Sequence, residues 1–136
     1  MIWRSLFALA FFACLSTAGA ALANDDIPED RELLDIEVWV SEGYGRYGDR
    51  QFSIRAGGKQ YPTPTGAFTV EWKSRNWWSR QWDAAMPYAM FYYRGAALHQ
   101  GVMRGHSKGC IRLHEADAKF LFGIAKEKKT RVFVYP

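Results

Sequence analysis

Cysteine, histidine and long apolar runs are all scarce in this sequence, and each scarcity narrows what the chain can be. Only two cysteines occur, Cys14 and Cys110. Cys14 lies in a segment read below as a removable leader, so Cys110 is left without a partner in its own chain and a disulfide framework is excluded. The strongest apolar run, from about Leu6 to Leu15, falls short of the ~20 residues a membrane-spanning helix needs. The net charge of +4 is mild, and no stretch alternates basic and aromatic residues along a groove. Nucleic acid is therefore not an expected partner. There are no internal repeats, and the length leaves no room for a separate binding module.

The first residues, MIWRSLFALAFFACLSTAGAALAND, combine one early positive charge at Arg4, a short apolar run and a small-x-small site at Ala21-Leu22-Ala23. That pattern predicts a secretory signal peptide over residues 1–23. Phe11-Phe12-Ala13 ahead of Cys14 is a poor lipidation signal. Cleavage after Ala23 removes Arg4 and no acidic residue, leaving 17 Lys+Arg against 14 Asp+Glu, a net charge of +3. Residues 24–34 begin as the polar lead-in NDDIPEDRE, and one domain is expected over residues 35–136.

Along that domain, Ile36, Val38 and Val40 alternate with Asp35, Glu37 and Trp39 and predict a half-buried strand. GYGRYGDR reads as a glycine turn leading into a second strand through Phe52 and Ile54. AGGKQYPTPTG reads as a loop, and AFTVEW as a strand through Phe68, Val70 and Trp72. SRNWWSRQWDAAMPY shows no clean period, so its tryptophans read as core cover more readily than as a recognition surface. YAMFYYRGAALH predicts a hairpin that turns at Arg94-Gly95 and ends at His99. In HEADAKFLFGIAKEKK, Ala118, Leu121, Phe122 and Ala125 fall on one helical face, with acids first and Lys126, Lys128 and Lys129 toward the end. TRVFVYP closes with a strand. The fold class is mostly β, a sandwich or barrel with one main helix after Cys110.

The chemistry concentrates in GHSKGCIRLH. An exported protein normally pairs its cysteines, so an unpaired thiol marks a reactive nucleophile or an intermolecular bond. The three histidines, His99, His106 and His114, all lie near Cys110 in sequence. Any of them could take the thiol proton; His99, at the end of a rigid apolar run, ranks ahead of His106 and His114. Backbone amides around Lys108, Gly109 and Cys110 are candidate oxyanion donors. Arg112, two residues on in an extended segment, shares the face of the thiol and is a candidate for a substrate carboxylate. Two rival readings are a zinc site from His99, His106, Cys110 and His114, and a wall-binding module in which Cys110 is a small buried apolar residue.

SKGCIRL resembles the signature of the L,D-transpeptidase catalytic domain, or YkuD domain, commonly Ser-His-Gly-Cys-x-Arg with a Ser-Lys-Gly-Cys variant. YPTPTGAFTV is similar to its Thr-Pro-x-Gly-x-Phe loop and strand, MPYAMFYYRGAALHQG to its Met-Pro-Tyr-x-x-x-Phe segment before the catalytic histidine, and DAKFLF to its helix. The resemblance spans roughly Asp35 to Tyr135. It implies a mostly β enzyme of the periplasm or cell wall that acts on peptidoglycan stem peptides. No cofactor or metal is expected, because a thioester on Cys110 would conserve the energy of the amide broken, and a monomer is expected. Cys110 matches the nucleophile and His99 the base, while Ser107, Gly109 and Arg112 match the motif's other positions. Two departures stand out: only ten residues separate His99 from Cys110, and Lys108 and Gln100 replace more frequent residues. The resemblance leaves open whether the acyl group passes to a neighbouring stem, to a wall-anchored protein or to water.

Overall fold

The computed structural model describes residues 33–136. The leader expected over residues 1–23 and the lead-in up to residue 32 lie outside the described residues. Strand β1 (Ile36–Trp39) buries Ile36 and Val38 and exposes more of the alternate positions, as its alternation predicts. The next stretch corrects the sequence reading: GYGRYG is mostly strand, β2 (Tyr44–Tyr47), paired antiparallel with β1 on one side and with β3 (Arg50–Ser53) on the other. The glycine that looked like a turn signal is a packing device. A Cβ on Gly45 would meet the Phe52 ring at 2.5 Å, so only glycine lets that ring lie across the strand.

Strand β4 (Gly66–Thr69) stops before Val70, and the chain crosses to a second sheet, where β5 (Trp72–Ser79) begins. One strand through Phe68, Val70 and Trp72 was expected; two strands in different sheets are found. The tryptophan segment without period is β5 itself, followed by a tight turn and β6 (Ala84–Tyr93). The hairpin at Arg94-Gly95 is present, with both residues in the left-handed region (φ 42° and 81°), and leads into β7 (Ala96–Gln100). After a loop come β8 (Ile111–Leu113), α1 (Glu115–Ile124) and β9 (Arg131–Tyr135). The two sheets have the orders β3-β2-β1-β9-β4 and β5-β6-β7-β8, so the fold is mostly β with one helix after Cys110, as expected.

The main core takes Ile36 and Val132 from the first sheet, Met90 and Leu98 from the inward face of the second, and Ala118 and Leu121 from α1. Each fully buried aliphatic chain of this size stabilises the fold by about 1.5–3 kcal/mol. The helix meets its ends differently from the sequence reading. Asp117 in its first turn is held by the Arg50 guanidinium at 2.9 Å, but α1 ends at Ile124, before Lys126, Lys128 and Lys129. The cation at its C-terminus is Lys73 of β5, whose Nζ donates to the carbonyls of Phe122 and Ala125, both at 2.7 Å. Burial lowers the ammonium's pKa and nearby Glu127 raises it.

One residue reorganises the outward face of the second sheet. Strict alternation along β6 would put Met86 on the inward face with Tyr88 and Met90. Tyr88 has φ +55°, and Met86 instead joins Ala89, Phe91 and Ala97 in a small outward cluster. The paired strand follows. Trp77, opposite Met86, packs edge-on against Trp72 and Phe91, although it is five residues from Trp72.

Candidate active site

Cys110 packs against that outward cluster, at the residue just before β8. Strands β7 and β8 run parallel, with Leu98 opposite Ile111 and His99 opposite Arg112. The same register carried back one step sets Cys110 beside Ala97. Ala97, His99, Cys110 and Arg112 therefore share one face, with the thiol and the imidazole as diagonal neighbours. No hydrogen bond joins those two groups among the described residues. The other edge of β8 is covered by the segment after β3, where Arg55 and Arg112 exchange backbone hydrogen bonds at 3.0 and 2.7 Å.

His99 is buried, and its Nδ1 lies 2.7 Å from the Gln100 carbonyl oxygen. A carbonyl only accepts, so Nδ1 carries the proton and Nε2 is left with a free lone pair. Burial is the main cause of a lowered imidazole pKa, the Gln100 carbonyl raises it and the Arg112 charge lowers it further. The ring is neutral at neutral pH and ready to accept a proton. Burial also pushes the Cys110 thiol up, against the pull of the Ala97 backbone N–H and the Arg112 cation. At rest the pair is thus neutral thiol and neutral imidazole, so the proton moves as the sulfur attacks.

The remaining sequence candidates divide. Lys108 and Gly109 line the same cleft as the thiol. Gly109 has φ +110°, a conformation that only glycine adopts easily, and its N–H donates to Ser107 Oγ at 3.1 Å. That amide is engaged, so of the expected oxyanion donors Lys108 and Cys110 are the ones left. Ser107 is buried and its hydroxyl donates to the Cys110 carbonyl, which makes it a brace for the cysteine loop and not a cleft residue. Gln100 acts through its backbone carbonyl.

Arg112 departs most from expectation. Its Nη2 donates to the carbonyls of Arg104 and Gly105 at 3.2 and 3.3 Å, and its Nε is buried without a partner. The guanidinium clamps the loop between β7 and β8 instead of lining the cleft. His106 is exposed and borders a separate cleft with Gly58, and His114 is the exposed residue that precedes α1, with no side-chain hydrogen bond to it. Among the described residues, no three His, Cys, Asp or Glu side chains converge as a metal ligand set, so the zinc grouping does not assemble.

The cleft beside Cys110 has a volume of about 1030 Å³ and runs under the β5 edge. Its contributors that sequence reasoning undervalued are Tyr61, Trp77, Trp78, Trp82 and Arg94. The Lys108 ammonium lies 4.8 Å from the Tyr61 ring centre and 5.4 Å from that of Trp82, joining the proline loop and the β5–β6 turn in the cleft that Cys110 also lines.

Residues 37–134 match the L,D-transpeptidase catalytic domain, YkuD. The chain belongs to this family. An L,D-transpeptidase from Stackebrandtia nassauensis is 21% identical with a TM-score of 0.70, over 85% of this chain and 61% of that one. An L,D-transpeptidase from Mycobacterium tuberculosis H37Rv is 20% identical with a TM-score of 0.67, over 76% and 58%. One from Enterococcus faecium is 23% identical with a TM-score of 0.65, over 76% and 50%. These likenesses show the fold. The chain spans about three-fifths of the length of the first structures it matches. No curated relative matches it.

Proposed function

We propose that this chain is an exported cysteine acyltransferase that acts on peptidoglycan stem peptides as an L,D-transpeptidase. The observation that carries the reading is Cys110 on the same sheet face as a buried His99, whose tautomer is fixed by the Gln100 carbonyl. Family membership supports the substrate class.

His99 Nε2 takes the thiol proton as Cys110 Sγ attacks the carbonyl carbon at the L-configured centre of the diamino acid at stem position three. The tetrahedral oxyanion is received by backbone amides at Lys108 and Cys110. The carbon–nitrogen bond then breaks, imidazolium returns the proton to the leaving amine, D-alanine departs, and a thioester remains on Cys110. An amine of a neighbouring stem resolves it to a 3→3 crosslink, and the lysine amine of a wall-anchored protein to a protein–wall bond. Water resolves it to a free acid, which is the carboxypeptidase alternative. The thioester conserves the energy of the broken amide, so the step requires no cofactor.

The test is intact mass measurement of the mature chain with a disaccharide-tetrapeptide, with product analysis in the same tube. An acyl adduct and D-alanine release that vanish in Cys110→Ala and fall at least about 10²-fold in His99→Ala are expected. Wall adhesion that survives Cys110→Ala, with no adduct in the parent protein, would replace the enzyme with a binding module.

A further inference from the structure

The cleft beside Cys110 carries more aromatic surface than the acyl transfer uses. Trp72, Trp77, Trp78 and Trp82 are 37%, 40%, 53% and 38% exposed and all line it. Trp72 lies flat on Phe91, with centroids 3.8 Å apart, and Trp77 stands edge-on to both. Trp82 meets Tyr61 edge-on across the opening, at 5.2 Å. The break in alternation at Tyr88 turns Trp77, opposite Met86, to the face that Trp72, opposite Phe91, already shares with the thiol.

The polar groups between the rings are just as selective. Asn76 and Gln81 offer planar amides, Arg80, Arg94 and Lys108 offer cations, and no carboxylate lines the cleft among the described residues. A stem peptide brings methyl groups, carboxylates and an amine to such a surface, and none of these has a flat apolar face. The part of a muropeptide that does is the pyranose ring, whose axial C–H groups lie on an indole while its hydroxyl and acetamido groups reach amides and guanidinium groups. The volume of about 1030 Å³ is at the upper end for a small-ligand site, and so leaves room beside the reacting amide.

We propose that the Trp72–Trp77–Trp78 wall is a glycan-binding subsite, which seats the amino-sugar rings of a glycan-linked stem while Cys110 acts on its peptide. This deepens the acyltransferase reading and rests on it for the identity of the peptide. The stem's carboxylates face Lys108 and Arg94, and the sugar lies along the β5 edge.

Two measurements test the subsite. The first titrates Cys110→Ala protein with an N-acetylglucosamine tetramer, following indole fluorescence. Saturable binding is expected, weakened about tenfold in Trp77→Ala and in Trp78→Ala and largely restored in Trp78→Phe. The second compares kcat/KM for a disaccharide-tetrapeptide and the free tetrapeptide. The parent protein is expected to favour the sugar-linked donor by at least about tenfold, and the two alanine variants to lose that preference. Melting curves identify any variant that fails to fold, and Trp78, the most exposed of the four, is the safer site. Acyl transfer from both donors with equal efficiency and no sugar binding would overturn the subsite and leave the enzyme reading standing. Sugar binding that depends on Trp77 and Trp78, with no transfer from either donor, would do the reverse.

Discussion

At the scale of the residue, a buried imidazole and a half-buried thiol have been moved in opposite directions. His99 must be unprotonated to accept the thiol proton, and its lowered pKa extends the neutral form to more acidic pH. Turnover should therefore hold below the ordinary imidazole range and fall only as the pH drops through the lowered value, as a kcat/KM profile would read. Cys110 has a raised pKa, so its thiolate is depleted at neutral pH. Alkylation by iodoacetamide should be slower at neutral pH than for a free cysteine and still rising where the free thiol has levelled off. An early plateau would mean an ion pair with His99 at rest. Gly109→Ala tests the loop: a Cβ there meets only Pro62 and Tyr61 carbonyl oxygens at 3.7 and 3.9 Å, so the strain lies in the backbone. A loss of about 1–3 kcal/mol of stability, with slower acylation, is expected from a denaturant titration and a burst assay.

Cys110 and His99 were legible as candidates because few residue types carry such chemistry and the sequence holds so few copies of them. The role of Arg112 was not. Extended spacing put it on the right face, but a long side chain goes where its hydrogen bonds are, and the carbonyls of Arg104 and Gly105 come from a loop whose path the sequence does not reveal.

At the scale of the element, the helix C-terminus shows how local reading fails. Lys126, Lys128 and Lys129 were near in sequence, but the carbonyls of Phe122 and Ala125 are met by Lys73, from a different sheet strand. Lys73→Met keeps the apolar stem and deletes the donor. It should lower stability by about 1–2 kcal/mol, seen as a shift in urea midpoint without a change in slope. An unchanged midpoint would mean that water serves those carbonyls equally well. Strand β1 was legible by its alternation, and the β6–β7 hairpin by its turn at Arg94-Gly95. Those with a built-in exception were not: Gly45 mimics a turn while making room for Phe52, and the left-handed Tyr88 erases the period by which the tryptophan strand would have been recognised.

At the scale of the whole molecule, the sequence disclosed a mostly β domain but not its two sheets. Both parallel pairings, β1 with β9 and β7 with β8, join segments that no turn connects, and nothing in local patterning says which strand lies beside which. The first of these makes β9 an interior strand: it lies between β1 and β4 and buries Val132 and Val134. Deleting residues 131–136 exposes two strand edges and opens the core. Circular dichroism and hydrogen exchange should show loss of the cooperative transition, whereas a truncated chain that still melts sharply would mean the remaining strands close the gap.

A ribosome makes β9 after every other described strand of the domain. Until then the first sheet has a gap between β1 and β4, and the edges they turn to β9 stay unpaired. The first sheet therefore closes only after β9 has been made, and β1, among the first strands to leave the ribosome, waits for its parallel partner through the synthesis of almost the whole domain.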